Sequence, residues 1–206
     1  MEPAFWLKSW EEGKRGFHRS SVNPHLVAHA DRLFEKGGTV LVPLCGATLD
    51  LGWLRDQGYW AVGVELSRIA AEEVAEREGL SDTGVDGPFH RYDGDGITVL
   101  VGDFFALTPE RIGPITGIWD RAALIALHPT QRDRYVALQR VLMASRAKLL
   151  LNTLSYDATL GDGPPWSVDE VEVSRLWPEA ELLSTEPVEL QGRSIVGACQ
   201  DWLWST

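Results

Sequence analysis

The sequence predicts a three-layer α/β fold with a mostly parallel sheet, because short apolar strand candidates alternate with helical stretches along the chain. The clearest strand candidate begins at Thr39 and stops at the turn Pro43-Leu44-Cys45-Gly46. A helix follows, and a second strand candidate at 60–64 ends in Glu65, 21 residues after Leu44. This order of strand, glycine turn, helix, strand and acid is typical of a nucleotide-type βαβ unit, in which the acid hydrogen-bonds ribose hydroxyls.

Two helices are predicted before this unit. The first contains Trp6 and Trp10, which are four residues apart and therefore lie on one helical face. The second starts at Asn23-Pro24 and carries an apolar stripe that ends at the glycines 37–38. Without further information, the two tryptophans are expected to anchor a hydrophobic core.

The middle of the chain predicts a helix from Ser67 to about Gly79 and then a hairpin between 89–92 and 97–101. The turn of the hairpin contains two aspartates, but it lacks the later ligands of a calcium loop, so we expect no metal site there. The second hairpin strand leads into Asp103-Phe104-Phe105. These residue types can hydrogen-bond and pack an adenine ring, although a buried Phe pair can equally be plain core.

The last third predicts a strand at 115–119 that ends in Asp120-Arg121, a helix at 131–143 and a strand at 148–154. A loop at 155–167, a helix at 168–177 and a closing antiparallel pair of strands complete the pattern. In a parallel sheet, the loops after the strands share one face, where ligands bind at the switch in strand order. The pocket is therefore expected beside Leu44, Glu65, Asp103, Arg121 and Leu154.

At 206 residues the chain has the length of one domain, and we expect a single domain over 1–206. Its formal charge of -11 and pI near 4.9 disfavour nucleic acid and anionic membranes as partners. The two cysteines form no extracellular disulfide framework, which favours a reducing compartment. No apolar run approaches the roughly 20 residues of a membrane-spanning helix. We therefore expect a cytoplasmic monomer that acts on small molecules.

Cysteine and histidine provide no clear catalytic or metal site in the sequence. Cys45 is expected to be a small side chain on the pocket floor, because no histidine partner for it is identifiable. His25 and His29 are four residues apart, but a third metal ligand is missing, so the pair is expected to be structural.

The turn after the first strand distinguishes between cofactors. NAD(P) enzymes normally carry Gly-x-Gly-x-x-Gly there, whereas this turn contains Gly46 alone and no Walker lysine. S-adenosylmethionine has ribose and adenine but no phosphate, so this pattern fits it better. An NAD(P) oxidoreductase and a cofactor-binding module without turnover are the alternatives in other functional classes.

A series of short motifs, in order over nearly the whole chain, resembles the thiopurine S-methyltransferase family. The motifs are Phe5-Trp6, Trp10, Gly13, Gly16-Phe17-His18, Val42-Pro43-Leu44-Cys45-Gly46, Val62-Gly63-Val64-Glu65, Trp119-Asp120-Arg121, Leu154-Ser155-Tyr156-Asp157 and Gly163-Pro164-Pro165. The resemblance implies a Rossmann-like class I methyltransferase fold, with a seven-stranded sheet whose last strand is antiparallel. It also implies methyl transfer from S-adenosylmethionine to the sulfur of small aromatic or heterocyclic thiols, as in detoxification. Selenium or tellurium species and other small thiols are alternative acceptors.

The same resemblance assigns roles to individual residues. It implies cofactor contacts from Trp6, Trp10, Leu44, Glu65 and Arg121, while Asp103 and Phe104 match the positions that flank adenine. Phe17, Arg121 and Arg193 match residues of the acceptor pocket, and residues 1–20 would form an N-terminal lid. A strong general base is not expected, because thiopurine-like acceptors ionise readily and the arginines would favour their thiolate form. The structural alternatives are an ion pair of Arg121 with Asp120 and a core position for Phe17.

Overall fold

A computed structural model describes residues 3–16, 18–161, 163–190 and 195–205 of the protein. Its described residues form one nine-stranded sheet flanked by helices. The strands are β1 Thr39–Pro43, β2 Trp60–Glu65, β3 Ser81–Asp86, β4 Phe89–Gly94, β5 Ile97–Val101, β6 Ile115–Arg121, β7 Met143–Ser155, β8 Glu181–Glu189 and β9 Val196–Ser205. The helices are α1 Pro3–Glu11, α2 Pro24–Leu33, α3 Asp50–Asp56, α4 Arg68–Glu78, α5 Pro109–Ile112, α6 Pro129–Leu142 and α7 Glu170–Leu176.

The helix boundaries follow local capping chemistry. The Asn23 side chain accepts a hydrogen bond from the His25 amide at the start of α2, and the Ser67 hydroxyl accepts one from the Ala70 amide at the start of α4. Helix α4 ends at Gly79, whose φ of 68° lies in the left-handed region where glycine is favoured. These are the ends that the sequence predicts.

The sheet order is β3-β4-β5-β2-β1-β6-β7-β9-β8. The five central strands, β5, β2, β1, β6 and β7, are parallel to one another. Strand β9 is antiparallel to both β7 and β8. The mostly parallel sheet and the closing antiparallel pair are thus confirmed. The predicted hairpin before β6 is also confirmed, because β4 pairs antiparallel with β5.

The expected count of seven strands is too low, because β3 and β4 extend the sheet beyond β5. Strand β3 pairs antiparallel with β4 along residues 81–86. Most of its side chains are exposed, and its sequence Ser-Asp-Thr-Gly-Val-Asp lacks the apolar alternation that indicates a strand. The pairing of β4 with β5 leaves a free outer edge on β4, and β3 covers that edge.

The strand order reverses between β1 and β6, and the chain is strained there on both strands. Residue Leu44, directly after β1, has φ of 48°, and Ala122, directly after β6, has φ of 62°. Positive φ is uncommon for residues with a side chain, and it is retained where the surroundings demand it, often at functional sites. The topological switch point therefore lies where the sequence predicts a pocket.

The buried carboxylate of Asp50 joins α2 to the centre of the sheet. One Asp50 oxygen accepts a hydrogen bond from the Asn23 amide at 2.9 Å, and the other accepts one from the Trp119 indole at 2.8 Å. Trp119 is fully buried in β6. The start of α2 is thus held against the carboxyl end of the sheet. Among the described residues, the helices are all too short or too polar to cross a membrane.

Candidate active site

Two adjoining cavities lie at the carboxyl ends of the central strands. The first has a volume of about 240 Å³, and the second has a volume of about 700 Å³. They share five lining residues, which are Trp6, Arg19, Arg121, Ala122 and Ala126. The cavities therefore meet at the end of β6, where a group bound in one can face a group bound in the other.

The seven residues predicted to contact the cofactor all line the first cavity. They are Trp6, Trp10, Leu44, Glu65, Asp103, Phe104 and Arg121. The second cavity is lined by two of these, Trp6 and Arg121, and by Pro164 and Pro165 of the loop that follows β7. The predicted acceptor residues Phe17 and Arg193 lie outside the residues that the structure describes.

Glu65 ends β2 with its side chain buried at the cavity edge. Its Oε1 atom accepts a hydrogen bond from the Ser67 amide at 2.7 Å, and its Oε2 atom accepts one from the Gly46 amide at 2.8 Å. Burial raises the pKa of Glu65, and these amide hydrogen bonds oppose the increase. A carboxylate offers about four acceptor positions, so the two oxygens can still accept from ligand hydroxyls.

Two backbone amides of the turn after β1 already donate hydrogen bonds within the protein. The Cys45 amide donates to the Val64 carbonyl at 3.0 Å, and the Gly46 amide donates to Glu65. A phosphate-binding loop instead directs its amides at the ligand. The turn therefore suits a cofactor with ribose but no diphosphate, as expected for S-adenosylmethionine. Burial raises the pKa of Cys45 well above its usual range, so its thiol is a protonated part of the pocket floor.

The first helix packs on this turn through Trp10, whose side chain is buried. A Cβ added to Gly46 would lie 3.2 Å from Trp10 Cζ2. The Arg15 guanidinium stacks over the Trp10 ring at 4.8 Å from its centroid and forms an ion pair with Glu73 of α4 at 2.6 Å. Trp10 is therefore both a core anchor and a cavity wall.

Asp103 and Phe104 follow the end of β5 and line the first cavity. Asp103 is exposed, and its carboxylate accepts a hydrogen bond from the Phe105 amide at 2.9 Å. Phe104 is buried, and its ring packs on Tyr135 at 5.0 Å between centroids. Phe104 thus combines the two alternatives left open by the sequence, since it belongs to the core and also lines the cavity.

Arg121 and its neighbour Asp120 point to different environments, as successive residues of a strand do. Buried Asp120 accepts hydrogen bonds from the Tyr135 hydroxyl at 2.7 Å, the Gln139 amide at 2.9 Å and the Leu124 backbone at 3.1 Å. Arg121 instead lines both cavities. Burial lowers the pKa of Arg121, while Asp50 opposes the decrease. These contacts favour the cavity position of Arg121 over an ion pair with Asp120.

Sequence reasoning missed several residues of the second cavity. Arg19 lines both cavities, and His25, Asn152 and Cys199 line the second. A single exposed arginine has no distinguishing sequence signal. His25 and Asn152 come together only through folding, because 127 residues separate them in the chain. Periodicity and spacing report on local elements, so they do not reveal that two distant residues line one cavity.

Comparisons with known proteins agree with this geometry. The family model "Thiopurine S-methyltransferase (TPMT)" matches residues 1–193. The chain is 46% identical over 175 residues to the thiopurine S-methyltransferase of Pseudomonas entomophila (strain L48), covering 84% of this chain and 81% of that protein. It is 44% identical over 192 residues to the thiopurine S-methyltransferase of Pseudomonas putida (strain GB-1). This match covers 92% of this chain and 89% of that protein.

Among solved structures, the fold is similar to that of 1,6-didemethyltoxoflavin-N1-methyltransferase from Burkholderia thailandensis, which contains S-adenosylhomocysteine. The TM-score is 0.67 at 16% identity, and the match covers 99% of this chain and 87% of that one. A methyltransferase from Anabaena variabilis gives a TM-score of 0.63 at 14% identity. This match covers 99% of this chain and 95% of that one. These similarities show the class I methyltransferase fold.

The protein is thus an S-adenosylmethionine-dependent methyltransferase. Its sheet order, the carboxylate at the end of β2 and the family match over most of its length agree with one another. The chain belongs to the thiopurine S-methyltransferase family.

Proposed function

We propose that the protein transfers a methyl group from S-adenosylmethionine to the sulfur of small aromatic or heterocyclic thiols. The observation that carries this proposal is the junction of two cavities at Arg121, Trp6 and Ala122. One cavity contains the predicted cofactor residues, and the other has room for a second small molecule. Methyl transfer requires such an arrangement, because the acceptor sulfur, methyl carbon and departing sulfur must lie in line.

In this proposal the first cavity binds the cofactor, which supplies the activated methyl group. Glu65 accepts hydrogen bonds from the ribose hydroxyls, for which its two oxygens still have free acceptor positions. Asp103 is the acceptor for the adenine amino group, and Phe104 packs on the ring. Trp6, Trp10 and Leu44 cover the remaining apolar surface, and Arg121 lies where the cavities meet.

The second cavity is the proposed acceptor site, and its cationic side chains support an acceptor that reacts as a thiolate. Arg19 and Arg121 line it, although the whole chain has a formal charge of -11. Positive charge beside a thiol favours its ionised form. Phe17 and Arg193 complete this site in the proposal, on the strength of the family resemblance.

The N-terminal residues 1–20 form a lid in this proposal, within a single domain that spans the chain. Support comes from α1, since Trp6 lines both cavities and Trp10 covers the turn at Gly46. A closed lid would exclude water from the charged reactants.

The protein would act as a cytoplasmic monomer without nucleic acid or membrane partners, in keeping with its acidic surface.

Isothermal titration with S-adenosylmethionine, followed by a mass-spectrometric screen of methyl acceptors, tests this function. The screen should contain aromatic and heterocyclic thiols, alkanethiols, selenols and chalcogen oxyanions. We expect cofactor binding and S-methylated aromatic thiols. Methylation of selenium or tellurium compounds alone would favour that alternative, and cofactor binding without any methyl transfer would favour a module without turnover. Titration with NADH in parallel should show no binding.

The role of the arginines has its own test. Arg121→Ala and Arg193→Ala together should lower kcat/KM for an aromatic thiol, with the greatest loss at pH values where the free thiol is protonated. Arg32→Ala on α2 is a suitable control, because Arg32 lines neither cavity. An unchanged kcat/KM across the pH range would exclude the proposed role.

A further inference from the structure

A polar network lies in the wall of the second cavity, where β9 passes the start of α2. His25 and Cys199 line the cavity, and Asp201 lies behind them with its side chain fully buried. The His25 Nδ1 atom is 2.7 Å from Asp201 Oδ2, and the His25 Nε2 atom is 3.8 Å from Cys199 Sγ. The imidazole therefore has one nitrogen on the buried acid and the other beside a residue of the cavity wall.

The partners of Asp201 determine which nitrogen of His25 carries the proton. Asp201 already accepts hydrogen bonds from Asn152 Nδ2 at 2.7 Å and from Ser184 Oγ at 2.6 Å. An ionised carboxylate can only accept, so Nδ1 of His25 must be the donor in the third hydrogen bond. In the neutral ring, Nε2 then holds the lone pair. This arrangement, with a carboxylate orienting an imidazole, is typical of a general base.

Cys199 is a poor candidate for a nucleophile in this network. Burial raises the pKa of its thiol, although the Asn152 amide, 3.2 Å from the sulfur, opposes the increase. Its sulfur lies 3.8 Å from His25 Nε2, and a thiol is only a weak hydrogen-bond donor. The weak contact leaves Nε2 able to accept a proton from a thiol that enters the cavity.

Among the residues that the structure describes, further titratable or charged groups near this network lie on α2, β6 and β8. His29 of α2 lies 3.6 Å from Asp201 Oδ2, and it does not line either cavity. Arg121 at the end of β6 and Glu186 of β8 act electrostatically on Cys199. Among the residues of this network, His25 combines a cavity position with an oriented ring.

We propose that His25 is the general base for acceptors that enter the second cavity as protonated thiols, with Asp201 and Asn152 as positioning residues. This inference rests on the proposed methyl transfer to thiols. The acceptor S–H bond breaks, and its proton passes to His25 Nε2. The sulfur electron pair forms the new bond to the methyl carbon, and the pair of the broken C–S bond remains on the cofactor sulfur, which leaves S-adenosylhomocysteine. The imidazolium beside Asp201 then releases its proton to water.

Two acceptors of different acidity test this role. One is an alkanethiol that stays protonated throughout the assay range, and the other is a nitro-substituted benzenethiol that is already ionised. His25→Asn retains a donor at the position of Nδ1 but lacks the base. We expect kcat/KM for the alkanethiol to fall about 10²–10⁴-fold and kcat/KM for the ionised thiol to stay within about threefold. His29→Gln is the matched control, and it should leave the ratio of the two values unchanged.

The outcomes separate the two proposals. If the wild type methylates neither thiol, the proposed function is wrong and the role of His25 is wrong with it. If it methylates both thiols and His25→Asn lowers both equally, or neither, then only the role of His25 is wrong.

A second measurement does not depend on turnover or on the folding of a variant. Nitrogen-15 NMR of the histidine-labelled wild type should show a neutral His25 protonated on Nδ1. Protonation on Nε2 would overturn the assignment of this residue as a base.

Discussion

The Glu65 carboxylate, which ends β2, accepts a hydrogen bond from the Gly46 amide in the turn after β1, at 2.8 Å. One acidic side chain thus fixes the turn that forms the cavity floor and also faces the cavity itself. The same contact withdraws the Gly46 amide from any bound ligand. In the proposed function, Glu65 therefore couples recognition of the cofactor to the shape of the turn.

Glu65→Gln should weaken the binding of S-adenosylmethionine. The amide group of Gln would direct a donor at either the Gly46 or the Ser67 amide, which are donors themselves. The turn would then have to shift, and a ribose acceptor would be lost. We expect Kd to rise about 10–100-fold, equivalent to about 1.4–2.8 kcal/mol. Isothermal titration measures this, and an unchanged Kd would exclude a ribose role for Glu65.

Gly46→Ala should destabilise the protein more than Gly13→Ala. Both glycines have positive φ, 57° and 67° respectively, so both substitutions cost about 1–2 kcal/mol of backbone strain. The new Cβ at Gly46 would also lie 3.2 Å from Trp10, whereas nothing lies within 4 Å of the corresponding atom at Gly13. Urea unfolding of both variants tests this. Equal losses of unfolding free energy would show that the contact with Trp10 is unimportant.

Asp50→Asn should lower the free energy of unfolding by about 2–3 kcal/mol, since it leaves a buried donor facing another donor. The wild-type carboxylate accepts from Asn23 and Trp119 and is itself buried. Trp119→Phe supplies the control, because it removes the indole donor. In a Trp119→Phe background, Asp50→Asn should therefore lower the free energy of unfolding by less than it does in the wild type. Fully additive effects in this double-mutant cycle would contradict direct coupling of Asp50 and Trp119.

His18 should make stability depend on pH. Burial is the main cause of the lowered pKa of His18, and the Arg121 charge adds to it, while Glu73 opposes the decrease. Because the folded-state pKa is below the unfolded value, this contribution to stability is present above the unfolded pKa near 6.5 and is lost as pH falls through the folded pKa. The unfolding free energy of His18→Gln should therefore fall less than that of the wild type between about pH 7 and 5. Parallel pH dependences of the two proteins would show that His18 makes no such contribution.

The fold and the first cavity were largely predictable from the sequence. Pro43 and Gly46 mark the end of a buried strand, and Glu65 follows at the distance set by one helix and a second strand. Because the carboxyl ends of parallel strands meet at one edge, the predicted residues after β1, β2, β5 and β6 meet in one cavity.

The features that sequence reasoning missed depend on contacts between distant segments. Strand β3 is polar and exposed, so it forms because β4 offers an edge and not because of its own pattern. The contact of His25 with Asp201 joins residues 176 positions apart. The pattern around His25 indicates only a helix start, and nothing local to Asp201 indicates a histidine partner.

The central claim is that this chain methylates sulfur in a cavity beside the cofactor. The most direct measurement uses S-adenosylmethionine with a deuterated methyl group and an aromatic thiol, with the product analysed by mass spectrometry. The account predicts a thioether that carries the deuterated methyl on sulfur, formed by the wild type and strongly reduced with Glu65→Gln at low cofactor concentration. Binding of the cofactor without label transfer to any thiol would contradict the account.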